Sequence, residues 1–289
     1  MKIKFYIITY DNNTVLNDWT LESLHNSNFP RDKVEIFVTD NHSNCVINDK
    51  YKDFVTLVPN NLRPDFSTGH QARSHNQALV NGFKSLVNPD CDMVVSSQND
   101  SKVTYDWYDN LCEMAKTYTF ISPGKGDQFL AFLPEAVRRI GLFDERLANV
   151  GHSEEDYYLR ALYYNTEQST ICDYCHRRLH NVTDGGLIVK NTATGHSRRD
   201  PHHVASKNHH PLAAHILYRK WGKYKLVMNW PDPATSMIPH IKECLDEAPK
   251  NYVMYPYFEK DVYDLAGKNY DIGDKWMYNL HQLGLMRSE

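Results

Sequence analysis

The strongest constraint on this chain is a succession of short, β-rich apolar runs in its first third. Each run ends on a polar turn, and the runs alternate with segments of helical periodicity. The first run covers residues 3–10 and is broken by Asp11-Asn12-Asn13. Leu16, Trp19, Leu21 and Leu24 then recur at roughly helical spacing until Asn28-Phe29-Pro30 stops them. Runs at 34–39 and 54–58 predict two further strands, and Ala72, Ala78, Leu79, Phe83 and Leu86 predict a helix over 69–87. A buried strand over 93–97 follows and ends in Gln98-Asn99-Asp100.

Strands that alternate with helices at this spacing predict βαβ units, so the expected fold is α/β with a mostly parallel sheet covered on both faces. Ligands of such sheets sit beyond the carboxyl ends of the strands. Asp11, Asp40 and Asp100 each follow a predicted strand and are placed for binding, although the same residue type also serves turns and helix caps. Past Asp100 the pattern changes. A strand is expected over 128–133, a short helix over 135–140 and a longer one over 153–164. Residues 172–179 and 187–190, separated by Asp184-Gly185-Gly186, suggest an antiparallel pair, which makes the sheet mixed. Residues 208–221 are again helical in pattern. From about Lys225 short apolar pieces alternate with Pro, Asp and Tyr, so the expected organisation is a domain over 1–225 and an extension over 226–289 packed on it.

Composition narrows the function. With 32 Lys+Arg against 36 Asp+Glu among 289 residues, the net charge of -4 gives no global grip on nucleic acid or anionic membrane. No apolar stretch reaches the length of about 18 residues that a membrane span needs. The opening run is too short and too polar at its flanks for a signal peptide. Six scattered Cys lack a framework spacing and read as reduced thiols, so the expected compartment is cytoplasmic. Cys172-Asp173-Tyr174-Cys175-His176 matches a haem-attachment spacing or half of a zinc site, but haem attachment needs export and zinc needs two more ligands.

Three groups of residues carry potential chemistry. Asp100, with Gln98 beside it, offers hard oxygen to a divalent cation that shares its coordination sphere with water and phosphate. Ser153-Glu154-Glu155-Asp156 with Arg160 has the form of a helix start, with a capping box and an i, i+4 ion pair. One of its three carboxylates is also a candidate general base for a hydroxyl, kept ionised by the helix dipole. The third group is a loop containing His196, His202, His203, His209 and His210, interleaved with Arg198 and Arg199, which offers imidazole ligands and phosphate-binding charge.

In order and spacing these features resemble the family 2 glycosyltransferases and their GT-A relatives over roughly residues 1–225. The run through Thr9-Tyr10-Asp11-Asn12 resembles the family's opening strand and turn. Thr39-Asp40-Asn41 resembles its second strand, whose Asp contacts the nucleoside, and Gly69 to Ala78, with Arg73 and Asn76, resembles the segment near the donor. Gln98-Asn99-Asp100 falls where the family carries its metal-binding Asp-any-Asp, with Gln98 in place of the first acid. Residues 129–133, 140–145 and then Glu154-Glu155-Asp156 with Arg160 resemble the acceptor-side signature, which is the more specific block. Counted back from Arg160, Glu154 stands at the base position and Asp156 at the second acidic position. His196 resembles the late His that completes the metal site, and residues 218–222 the closing helix.

The resemblance implies a GT-A fold and an inverting transfer of sugar from a nucleotide diphosphate, favouring a UDP-sugar, with Mn²⁺ or Mg²⁺ held by Asp100 and His196. Thr9, Tyr10, Asp11, Asp40, Arg73, Asn76, Gln98 and Asn99 would hold the donor. The expected acceptor is a glycan hydroxyl. Its alternative is a hydroxymethylated base of phage or viral DNA, which the Asn- and Tyr-rich composition and the Arg/His loop bring into view and the negative charge opposes. A non-catalytic nucleotide-sugar-binding module is the third alternative.

Overall fold

The computed structural model describes residues 1–9, 13–41, 44–60, 71–123, 126–144, 152–172, 182–183 and 187–190. Four parallel strands, β1 (Ile3–Thr9), β2 (Val34–Asp40), β3 (Val55–Pro59) and β4 (Met93–Gln98), form one half of the main sheet, in the spatial order β3-β2-β1-β4. The chain therefore reverses its direction of travel between β1 and β4, which opens a crevice at the carboxyl ends of these two strands.

Between β1 and β2 lies one helical stretch: α1 (Asn13–Val15), a π-helical turn (Leu16–Leu21) and α2 (Glu22–His25). The five-residue step from Leu16 to Leu21 matches the wider π turn, and both side chains are fully buried. The expected helix over 69–87 is α3 (Gln71–Phe83); it stops early because Lys84 turns to a left-handed φ of 58°.

The other half of the sheet explains why the sequence pattern changes after Asp100. A short β5 (Lys102–Val103) leaves the sheet, and α4 (Trp107–Met114) leads into β6 (Phe120–Ser122) and β7 (Phe129–Phe132). Then come α5 (Pro134–Ile140), α6 (His152–Tyr164), β8 (Ser169–Cys172), β9 (Val182–Thr183) and β10 (Val189–Lys190). The complete order is β3-β2-β1-β4-β7-β6-β8-β9, and among the described residues β7 alone runs against its neighbours. The architecture is thus the mixed, mostly parallel sheet with flanking helices that the sequence predicts.

The antiparallel pair expected of 172–179 with 187–190 lies mostly outside the described residues; among the described residues β10 pairs antiparallel with β5, and β8 pairs parallel with β6 and β9. The carbonyl of Ile188 accepts from Thr104 N (2.9 Å) and that of Leu187 from Thr104 Oγ1 (2.6 Å), which fastens this edge to the segment after β5. The helix expected over 208–221 and the extension over 226–289 lie outside the described residues, as does Cys175; Cys45, Cys91 and Cys112 carry free thiols.

Alternation along the strands sorts side chains onto two faces. Ile3, Phe5, Ile7, Met93, Val95, Phe129 and Ala131 join Trp107 and Leu111 of α4 and the Leu16–Leu24 stripe in one core. Phe5 meets Trp107 and Phe129 edge-on, with ring centroids 5.5 Å apart in each pair. On the opposite face Phe120 and Phe132 pack against Tyr157 of α6, and Phe143 stacks on Tyr157 at 4.1 Å. Gly82 lets α3 approach β4: a Cβ there would overlap Val94 Cγ2 and stand 3.3 Å from Tyr6 Cε2. Gly82→Ala should destabilise the protein by about 1–3 kcal/mol through overpacking, read as a lower midpoint in urea unfolding.

Candidate functional site

The reversed strand brings two chain segments to one place. Because β4 and β7 are antiparallel with Ser97 opposite Phe129, the residues before β7 lie beside those after β4, at the carboxyl edge of the parallel strands. The Gln128 carbonyl is the fastener. It accepts from the Gln98 backbone N–H (3.0 Å), Ser97 Oγ (2.8 Å) and Ser101 Oγ (2.5 Å). Its side-chain Nε2 donates to Asp100 Oδ2 at 3.3 Å, and Asp100 is buried.

One residue earlier, Asp127 accepts from Gln98 Nε2 through Oδ1, and its Oδ2 lies 3.2 Å from His75 Nε2. The other ring nitrogen of His75 lies 2.7 Å from Ser96 Oγ, and the ring stacks on Phe143 at 4.8 Å. Burial pushes the Asp127 carboxyl up to about 7, with the charge of Asp100 adding to the rise. Burial pushes His75 down to about 4, against a weaker pull from Glu154. The pair is therefore closer to two neutral groups sharing a hydrogen bond than to an ion pair. Although Ser96, His75 and Asp127 follow one another like a nucleophile, base and orienter, Ser96 has no exposed surface and sits mid-strand, so no substrate reaches it.

Helix α6 separates the three candidate carboxylates by their surroundings. Glu154 faces the loop before β7, where a Cβ on Gly126 would lie 3.4 Å from its Oε1. Gly126 has a φ of 59°, a conformation that suits glycine. One turn on, Tyr158 OH donates to the Gly126 carbonyl (2.7 Å) and lies 2.7 Å from Ser122 Oγ, tying the helix to the same loop. Glu155 points into the interior, where burial and then the Asp156 charge raise its carboxyl well above the ordinary range. Asp156 accepts from Arg160 Nε at 2.9 Å, and Arg160 donates onward to the carbonyls of Ile140 and Leu142, both at 2.7 Å. This is the i, i+4 pair of the sequence, and it locks α6 to the end of α5. The helix begins at His152, so Ser153 lies inside it and does not cap it; its hydroxyl is 3.5 Å from Glu154 Oε2.

On the other side of the crevice, Asn99 Nδ2 donates to Thr9 Oγ1 (2.9 Å), joining the ends of β1 and β4. Asp40 Oδ2 accepts from the Cys45 N–H (2.9 Å) and shapes the turn after β2. Asn41 continues from there to Ser74 Oγ (3.1 Å) and Asn60 Nδ2 (2.7 Å). Asn76 donates to the Phe143 carbonyl (3.0 Å) and accepts from its N–H (2.7 Å), so its amide clasps the segment after α5. Arg73 is buried in the first turns of α3. Tyr10, Asp11 and His196 with its neighbouring His and Arg residues lie outside the described residues.

Among the described residues no three His, Cys, Asp or Glu converge as a complete metal cage. Asp100 offers the hard carboxylate oxygen that suits a cation shared with phosphate and water, and it stands at the carboxyl edge of β4. His75, Asp127 and Gln128 were not singled out from the sequence. Their only signal was a polar pair just before an apolar strand, together with a His among small residues of a helix.

No protein-family model matches the chain, and no curated protein matches it. Among solved structures it is similar to the mannosyltransferase PcManGT of Pyrobaculum calidifontis in complex with GDP-Man and Mn²⁺, at 16% identity over 85% of this chain and 74% of that one, with a TM-score of 0.46. It is similar to S. aureus TarS 1-349 at 11% identity over 98% and 92%, with a TM-score of 0.47. The match to a longer S. aureus TarS chain has 14% identity and a TM-score of 0.41; it covers 55% of this chain and only 34% of that one. Likenesses this distant say nothing about the chemistry of the site.

The buried pair gives a pH signature. Asp127, raised in the folded state, contributes stability at low pH that is lost as pH rises towards about 7. His75, depressed to about 4, acts in the opposite sense: stability falls as pH drops from about 6.5 to 4, because the unfolded chain takes up the proton first. In Asp127→Asn only the His75 effect remains. The stability of wild type relative to this variant should rise on going from pH 7 to pH 4, by up to about 1.4 kcal/mol per unit, as measured by urea unfolding across that range.

Proposed function

We propose that this chain is a GT-A-type glycosyltransferase that moves a sugar, with inversion, from a UDP-sugar to a hydroxyl of a glycan. The observation that carries the proposal is the separation of the three acidic residues at the start of α6. All three are buried, but Glu154 lies against the Gly126 loop at the carboxyl edge of β4, whereas Asp156 is paired with Arg160 and burial with the Asp156 charge raises the proton affinity of Glu155. This supports Glu154 as the base, with Glu155 and Asp156 shaping and anchoring the helix that presents it.

In the proposed reaction the acceptor oxygen attacks the anomeric carbon as its proton passes to the Glu154 carboxylate. The bond from that carbon to the diphosphate breaks, and its electron pair leaves on the diphosphate. Asp100 and His196 are the proposed ligands of a Mn²⁺ or Mg²⁺ ion, which when bound would neutralise the leaving charge. The ends of β1, β2 and β4 support a donor site: Thr9, Tyr10 and Asp11 with Asp40 for the nucleoside, and Arg73, Gln98 and Asn99 for the phosphate and sugar side. Asn76 serves this site indirectly, by fixing Phe143, on which His75 stacks.

The acids should separate cleanly in a transfer assay with UDP-sugars. Glu154→Gln should lower kcat by about 10²- to 10⁴-fold while UDP binding, followed by calorimetry, stays intact. Glu155→Gln mimics a carboxyl that is already protonated and should keep most of the activity. Wild-type transfer by the Glu154 variant, or no hydrolysis or transfer of any nucleotide sugar by the native protein, would refute the proposal.

A further inference from the structure

We infer that Gln128 is the positioning residue of the Asp100 carboxylate. This rests on the reading of Asp100 as the metal ligand and explains how the chain manages without an acid at position 98. Gln98 brings no charge to replace that acid, and its Nε2 is spent on Asp127 Oδ1. The neighbour of the Asp100 carboxylate is instead Gln128, whose Nε2 donates to Oδ2 at 3.3 Å.

Two features make this contact a device for orientation. The Gln128 backbone cannot drift, because its carbonyl holds three donors from the segment that carries Asp100: Ser97 Oγ, the Gln98 N–H and Ser101 Oγ. The side chain therefore starts from a point fixed relative to its target. Both residues are also buried, Gln128 at 6% and Asp100 at 7% exposure, so water does not compete strongly for the contact. The neutral donor of Gln128 restricts carboxylate rotation without the charge of a Lys or Arg, which would repel a cation. Groups that orient a ligating carboxylate typically govern metal affinity by about 10- to 100-fold.

The test is a Mn²⁺ titration in the presence of UDP, followed by the electron paramagnetic resonance signal of free Mn²⁺. Wild type, Gln128→Met, Asp100→Asn and the double variant are compared, and the unfolding midpoint of each is recorded. Methionine keeps the length of the side chain and leaves the carbonyl contacts in place; Gln128→Leu is the second variant if the first does not fold. Gln128→Met should weaken Mn²⁺ binding by about tenfold or more. The double variant should bind no more weakly than Asp100→Asn alone, a non-additivity that a general loosening of the fold would not produce. Binding by Gln128→Met within about twofold of wild type, while Asp100→Asn binds poorly, would overturn the role of Gln128 and leave the metal reading intact. A tenfold loss repeated in the Asp100→Asn background would also overturn it. Wild-type Mn²⁺ binding by Asp100→Asn would remove the metal reading itself, and this inference with it.

Discussion

The carbonyl oxygen of Gln128 is the contact on which the rest of the site depends. One backbone oxygen accepting from two serine hydroxyls and an amide joins the end of β4 to the start of β7. Ser97 and Ser101 are buried, and burying their hydroxyls without partners would cost free energy, which favours the join. From that join Gln128 reaches Asp100, Asp127 reaches Gln98 and His75, and Gly126 receives Glu154 and Tyr158. A shift of the 126–128 segment would move the end of β4 and the start of α6 together.

The helix carrying Glu154 shows how environment gives different characters to neighbouring side chains of one chemical type. Helical geometry turns successive residues about 100° apart, so three consecutive carboxyls face three different surroundings. Position 154 meets the Gly126 loop, 155 the packed interior, and 156 a guanidinium that itself ties down two carbonyls of the preceding segment. A buried ion pair is costly to desolvate, and this one carries two further hydrogen bonds to the carbonyls of Ile140 and Leu142, which makes it a register pin for α6. The base candidate inherits its position from that pin.

Much of this was legible in the sequence, and the gaps have physical causes. Period-two runs and polar strand ends located β1 to β4, and the 3.6-residue spacing located α3 and α6. The ion pair of Asp156 with Arg160 follows from helical spacing alone. The pairing of 187–190 with β5 joins segments far apart in the chain, and such partners are chosen by tertiary packing, which local turn residues do not reveal. The network of His75, Ser96, Asp127 and Gln128 was invisible for a similar reason. Its members lie 21 to 52 residues apart in the contacts they make, and nothing in their local composition distinguishes them from ordinary polar residues of a helix, a strand and a turn.

The direction of β7 has a consequence for how such a site can diversify. In a sheet whose strands all point one way, only the residues that follow each strand reach the ligand edge, and those that precede it are stranded on the far side. Reversing one central strand lends the crevice a segment from the opposite end of its strand, anchored on both flanks by ladder hydrogen bonds. Substitutions at 126–128 can therefore alter the lining of the crevice while the loops that follow β1, β2 and β4 keep their own length and sequence. In evolutionary terms the inverted strand gives the crevice one lining segment that can vary apart from the loops on its parallel strands.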